Sequence, residues 1–271
     1  ACLAMVAADV LLPMLPPIHC PVSTAGLAIS AVQCLNILAF ANEKQAPTGY
    51  SKFADKATAT IPSRTGMLVI YVPALATAGA MLATAPQVNG REALVAGMTL
   101  AHFGKRVVEV LGVHKYSGSM GPLCYGIGAF YALVTLLITV QTRNVPPALY
   151  AAAASQAALP VAIGLFVLGE LGNLYHHMLL AAMRTRGDSQ AGPYAVPQGG
   201  LFPLVATPHY LCEIVAWLGI ALAAQQLNAL LVSAGMASYL SGRAVASTRW
   251  YKETFGAEYP LTRRHIVPFL F

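Results

Sequence analysis

GNLYHHMLLAAMR (172–184), YAVPQGGLF (194–202), EIVAW (213–217) and YKETFGAEYPLTRRHIVPFLF (251–271) thread polar side chains through segments otherwise apolar enough to lie in lipid. Asn173, Arg184, His209, Glu213 and Arg243 are costly at membrane depth unless each faces a cavity, a partner or a ligand. This pattern predicts an all-α membrane bundle with an internal polar site, sought first in the last third of the chain. The composition agrees: 57% of the 271 residues are hydrophobic and 10% charged, with a mean hydropathy of +0.62. A soluble domain carries about 25% charged residues.

At roughly 20 residues per crossing, the apolar segments 22–42, 65–86, 93–113, 122–141, 149–183, 202–224 and 226–246 predict seven transmembrane helices in one domain, 22–271. NEKQAPTG (42–49), APQVNGRE (85–92), TRNVPP (142–147) and TRGDSQAGP (185–193) supply the breaks. Pro160 is expected to kink the long fifth helix. Residues 1–21 read as an N-terminal segment, either processed or interfacial, because ACLAMVAADVLLPMLP (1–16) is too short to span and contains Pro13 and Pro16.

Charge sorts on this topology. Loops 43–64, 114–121 and 184–201 and the tail 247–271 share one face, and Lys105, Arg106 and Arg243 lie near that end of their helices. This face takes Lys44, Lys52, Lys56, Arg64, Lys105, Arg106, Lys115, Arg184, Arg186, Arg243, Arg249, Lys252, Arg263 and Arg264, against Arg91 and Arg143 opposite, a split of 14 to 2. The positive-inside rule then makes the basic face cytosolic, or matrix or stromal in a mitochondrion or plastid, with the N-terminus opposite. An endoplasmic reticulum membrane fits equally. The net charge of +6 is not laid out for nucleic acid, since no basic run is interleaved with aromatics. Cys2, Cys20, Cys34, Cys124 and Cys212 have no CxxC or metal-like spacing and read as small buried hydrophobes. AAAASQAA (151–158) and ALAA (221–224) offer either small packing faces or mere compositional bias.

Asn173, His177 and Arg184 fall on one helix face, and His209, Glu213 and Trp217 on another. An arginine-rich mouth with Asn, Tyr and Glu inside suits a dinucleotide, the arginines taking phosphates. The same spacing equally suits a polar network that fixes helix packing. The absence of GxGxxG and of a P-loop excludes a Rossmann-type site. His176, His177 and the His209-x3-Glu213 pair raise the question of a metal, but without HExxH or a second acidic cluster none is expected. His102 and His114 have no acidic orienter except Glu109, and no GxSxG is present, so hydrolase chemistry is unsupported.

The chain resembles the steroid 5α-reductase family, which includes 3-oxo-5α-steroid 4-dehydrogenases, very-long-chain enoyl-CoA reductases and polyprenol reductases. The resemblance rests on GYSKF (49–53), IPSR (61–64) with Pro73, AHFGKRVVEVLGVHKYS (101–117, closest to the enoyl-CoA reductase branch), the stretches quoted first, and IVPFLF (266–271). It implies a seven-helix bundle whose C-terminal half, about 150–271, binds NADPH from the cytosolic side. The family adds hydride to the β carbon of an activated C=C bond while a hydrogen-bonding acid holds the carbonyl oxygen. By motif, Arg106, Asn173, Arg184, Tyr194, His209, Glu213, Arg243 and Tyr251 fall on cofactor-binding positions. The departures are specific. Ile70-Tyr71 stands where glutamine-glutamate is usual in the steroid branch, and Phe103 where tyrosine is usual. His177 replaces a common aspartate, His209 an asparagine and Ser247 a histidine.

Two expectations follow. In one, Tyr71 has taken over from the hydroxyl lost at Phe103, and the protein is an NADPH-dependent reductase of a lipophilic enone, enoyl thioester or polyprenoid. In the other, an impaired reductase homologue serves as a structural subunit among other membrane proteins, holding lipid or nothing where NADPH would bind. A lipid-binding or transport role is a third. In each, the bilayer and a lipophilic substrate or structural lipid are partners.

Overall fold

Long apolar runs punctuated by Pro and Gly fold as helices here. The computed structural model describes residues 16–54, 59–85, 90–185 and 194–271. Most of the N-terminal segment 1–21, together with Lys56 and Arg186, lies outside the described residues. Helix α1 (Thr24–Leu35) is capped by Ser23, whose Oγ accepts from the Gly26 N–H, and passes through a 3-10 turn, Asn36–Leu38, into α2 (Ala39–Gln45). There follow α3 (Ser63–Ala83), α4 (Arg91–Val108), α5 (Leu123–Arg143), the short α6 (Pro147–Ala151), α7 (Ala153–Thr185), α8 (Pro208–Ala224) and α9 (Leu227–Phe255). Between them Ile61–Pro62 (β1) pairs antiparallel with Ser119–Met120 (β2), tying two loops together at one end of the bundle.

The molecule is an all-α membrane bundle. Among the described residues, five helical segments are long and apolar enough to cross a bilayer: Thr24–Gln45, Ser63–Ala83, Leu123–Arg143, Ala153–Arg184 and Leu227–Glu258. The other two long segments differ for physical reasons. Helix α4 carries Arg91 and Glu92 at its start and Lys105 and Arg106 in its last turn. Helix α8 is apolar, but its 17 residues rise only about 25 Å, short of a hydrocarbon core of about 30 Å.

Two expected boundaries are corrected. Residues 202–207 are not helical: Gly199 and Gly200 adopt positive φ, Val205 bridges to Arg264, and α8 begins at Pro208, where a missing N–H costs nothing. The last helix does not stop at 246 but runs to Phe255, ending at Gly256 with φ of 53°. The extension matters, since it puts Arg243, Ser247 and Tyr251 at successive i+4 positions on one face.

Helix α7 is 33 residues long and continuous through Pro160. It packs against α8 through glycines. A Cβ on Gly169 would lie 2.4 Å from the Ala216 nitrogen, and one on Gly219 2.6 Å from the Ala162 oxygen. Of the two alanine-rich stretches, 221–224 is used in this packing region, with Ala221, Ala223 and Ala224 buried, whereas none of the alanines of 151–158 is buried. At the α4 N-terminus Arg143 pairs with Glu92, and Arg91 donates to the Ala223 carbonyl. The two outlying arginines thus share one end of the bundle. The cysteines are corrected in part: Cys124 is buried, but Cys20 and Cys34 are exposed, and Cys2 lies outside the described residues.

Candidate functional site

Among the described residues, two neighbouring cavities open between the helices. One is cationic. It is walled by His177 and Arg184 of α7, His209 of α8, Arg243, Ser247 and Tyr251 of α9 and the Tyr50–Phe53 loop, with Tyr194 at its rim. The other is apolar, lined by Ile70, Phe103, Ile127, Tyr131, Val134 and Trp217, and it reaches Leu123 and Phe130, whose side chains are exposed on the outer surface of the bundle. The two share Tyr50, Met67 and Tyr71.

Tyr71 is the junction. Its hydroxyl accepts from Arg106 Nη2 at 2.8 Å, and the guanidinium lies 4.9 Å from the ring centroid. Phe103 lies beside it with ring centroids 6.5 Å apart, and Tyr131 flanks both. Positions 71 and 103 therefore line the same apolar cavity.

Helix α4 ends in a widened turn, Glu109–Val113, with π-type geometry. The turn returns His114 to Glu109: the His114 N–H donates to the Glu109 carbonyl at 2.8 Å, and its Nε2 lies 3.9 Å from Glu109 Oε2. Glu109 is fully buried, with Arg106 Nη1 at 2.5 Å from Oε2 and His177 Nδ1 at 3.1 Å from Oε1. Burial, and then the nearby Arg106 charge, lower the His114 pKa to about 4.

The expected site residues do not all reach the cavity. Arg106, Arg184, Tyr194, His209, Arg243 and Tyr251 line it. Arg184 lies over the Tyr194 ring and donates to the Lys115 carbonyl. Arg243, however, is largely committed. It pairs with buried Glu43 at 2.5 Å and donates also to the Thr48 and Tyr50 carbonyls and the Tyr210 hydroxyl. Asn173 and Glu213 sit behind the wall. Asn173 donates to the His209 carbonyl and accepts from Lys105, while Glu213 lies 3.3 Å from His102 Nε2.

His102 corrects one expectation. Glu170 Oε1 lies 2.6 Å from its Nδ1, and Glu170 also meets Lys105 at 2.8 Å. An orienter 68 residues away leaves no trace in local spacing. His209 and Glu213 likewise do not pair as a ligand set, because Glu213 turns to His102 instead.

Lys52 is a cavity residue that residue spacing did not single out. It lines the cavity, with Nζ 4.2 Å from the Tyr251 ring centroid and 5.0 Å from that of Trp250. Burial lowers its pKa well below the usual range, and the neighbouring Arg243 and Arg184 charges lower it further. The available signal was its place in GYSKF (49–53). Two buried polar atoms on the wall, His209 Nδ1 and Ser247 Oγ, have no hydrogen-bond partner among the described residues.

Comparison with known proteins gives the geometry a family. The family model described as 3-oxo-5-alpha-steroid 4-dehydrogenase matches residues 128–271. A very-long-chain enoyl-CoA reductase of Dictyostelium discoideum is 28% identical over 171 residues, covering 62% of this chain and 55% of its own length. Steroid 5-alpha-reductase DET2 of Solanum lycopersicum is 38% identical over 111 residues, 40% of this chain and 42% of its own. The chain thus spans about half the length of these two relatives. Against 3-oxo-5-alpha-steroid 4-dehydrogenase 1 of Macaca fascicularis the match is 28% over 251 residues, 90% of this chain and 93% of the relative. The helical bundle, the paired cavities and a match over more than half of the chain lead to one statement: this protein belongs to the 3-oxo-5-alpha-steroid 4-dehydrogenase, or steroid 5α-reductase, family.

Proposed function

We propose that the protein reduces an activated C=C bond of a lipophilic enone, enoyl thioester or polyprenoid with NADPH, through a seven-span bundle whose basic face is cytosolic, matrix or stromal. The observation that carries this reading is the meeting of a cationic and an apolar cavity at one phenol, Tyr71. A charged nucleotide and a lipophilic acceptor need such opposite surroundings, and they must touch where a hydride passes.

The residues present suit a dinucleotide. Lys115 and Arg184 on the cavity wall supply charge for phosphates, and Lys52 adds an amine donor. His209 Nδ1 and Ser247 Oγ, buried without partners among the described residues, are atoms a polar ligand would satisfy. Arg243 acts as a brace through Glu43 rather than as a phosphate clamp, and Asn173 positions the His209 backbone. NADPH, when bound, supplies the hydride. Tyr71 donates its hydroxyl proton in a hydrogen bond to the substrate carbonyl oxygen, stabilising the charge that develops there. Arg106 donates to the Tyr71 oxygen and so strengthens the phenol as a donor. Phe103 and Trp217 keep the acceptor end dry, and the exposed Leu123 and Phe130 mark the entry from lipid.

Phe103 itself favours a second reading, a non-catalytic subunit of a membrane assembly, because it removes a hydroxyl from the reacting end. Purified protein incubated with NADPH and a panel of lipophilic enones and enoyl thioesters separates the two. Reductase function requires a saturated product from at least one acceptor, and Tyr71→Phe should slow that turnover by on the order of 10²–10³-fold. NADPH binding with no reduction of any acceptor, or full activity in Tyr71→Phe, would contradict the proposed chemistry.

A further inference from the structure

We propose that Glu109, His114 and His177 form a binding site for a divalent transition cation of the zinc class, at the inner wall of the cationic cavity. The inference does not depend on reductase activity. One ligand atom from each residue lies within 4.8 Å of the others. In a tetrahedral site with bonds of about 2.1 Å, donor atoms stand roughly 3.4 Å apart. Here His177 Nδ1 is 3.1 Å from Glu109 Oε1, and His114 Nε2 is 3.9 Å from Glu109 Oε2. Little movement is needed to close that set around an ion.

The donor chemistry narrows the ion. Two imidazoles and one carboxylate suit Zn²⁺, Co²⁺, Ni²⁺ or Cu²⁺ better than Mg²⁺ or Ca²⁺. His114 and His177 also line the cavity, so a fourth coordination position would face it, the arrangement of a three-ligand open site. The local fold supports the set: the widened turn after α4 brings His114 back onto Glu109, and His177 reaches across from α7.

Arg106 defines what the ion must overcome. Its Nη1 lies 2.5 Å from Glu109 Oε2 and 3.0 Å from His177 Nδ1, and Lys105 Nζ is 3.8 Å from Glu109 Oε1. One His177 nitrogen is thereby claimed by both a donor and an acceptor, and a ring nitrogen serves only one of them at a time. An ion would take that lone pair and the carboxylate, releasing Arg106 from Glu109 while its Nη2 keeps Tyr71. The cation and Arg106 therefore compete for the same acceptors.

Cobalt is the probe. The full chain, purified in detergent with exposed Cys20 and Cys34 changed to serine to remove stray thiol ligands, is titrated with Co²⁺ and followed by visible absorption. We expect saturable uptake of one Co²⁺ per chain, weakened about 100-fold or more in His177→Ala and in His114→Gln, and tightened about tenfold or more in Arg106→Gln, where a competing charge is gone. Unchanged uptake in His177→Ala, or no saturable uptake at all, would overturn the proposal. Should the histidine variants fail to fold, X-ray absorption on the cobalt-loaded parent decides: scattering from two imidazoles supports the site, and its absence rejects it.

Discussion

At the scale of single residues the molecule turns on where charge is held. Arg106 bonds Tyr71, Glu109 and His177 at once, so the cavity wall and the Tyr71 phenol share one guanidinium. His114 lies at the edge of this cluster, and its pKa of about 4 fixes the sign of an acid effect. Between that value and the ordinary histidine value of about 6.5, the unfolded chain binds the extra proton and the folded chain does not. This contribution to stability is complete above pH 6.5 and is lost as pH falls towards 4, by up to about 3 kcal/mol. Thermal unfolding midpoints should drop less between pH 7 and pH 4 in His114→Gln than in the parent, and equal drops would refute the assignment. Arg243 and Glu43 are both buried and paired. Arg243→Met strands a buried carboxylate and should cost about 3–5 kcal/mol. Adding Glu43→Gln should recover much of that loss in denaturant unfolding, and simple additivity would speak against a coupled pair. Asn173, Arg184 and Glu213 were legible as polar groups too costly for lipid. Their partners were not, because Asn173–Lys105 and Arg184–Lys115 close over separations of 68 and 69 residues, and Glu213 meets His102 from another helix.

Among elements, the α7–α8 pair bears most directly on the site, since it carries His177, Arg184 and His209. Its close approach rests on Gly169 and Gly219, where any side chain would meet backbone atoms. Gly219→Leu should force the helices apart and destabilise the protein by about 1–3 kcal/mol or more, lowering the unfolding midpoint in detergent. At Gly97 in α4 an added methyl would meet nothing within 4 Å, so Gly97→Ala should instead raise stability by about 0.5–1 kcal/mol. If both changes behave alike, the packing argument fails. Helix positions were readable from apolar runs and their Pro and Gly breaks. Helix ends were less so: SGRAVASTRWYKETF (241–255) is too polar to look like a span, yet it continues α9 because no residue stops it before Gly256. Conversely, 202–207 is apolar enough to look helical, but it is held in turns by Gly199, Gly200 and the Val205–Arg264 bridge.

On the scale of the whole molecule, hydropathy foretold an all-α membrane bundle, and the motifs foretold its family. The count of crossings is harder to read, because α4 is charged at both ends and α8 is short. Such helices cross lipid only when neighbours shield them, a property of the assembled bundle rather than of the segment. The two cavities were likewise invisible to spacing, since they arise where α3, α4, α5, α7, α8 and α9 come together around Tyr71. The central claim is that the cationic cavity is a nucleotide site. Equilibrium titration of the purified chain with NADPH tests it most directly. We expect saturable binding of one NADPH per chain with a dissociation constant between about 1 μM and 1 mM, weakened about tenfold or more by Arg184→Gln, which removes a charged donor. No saturable binding, or binding indifferent to Arg184→Gln and Lys52→Gln alike, would contradict it.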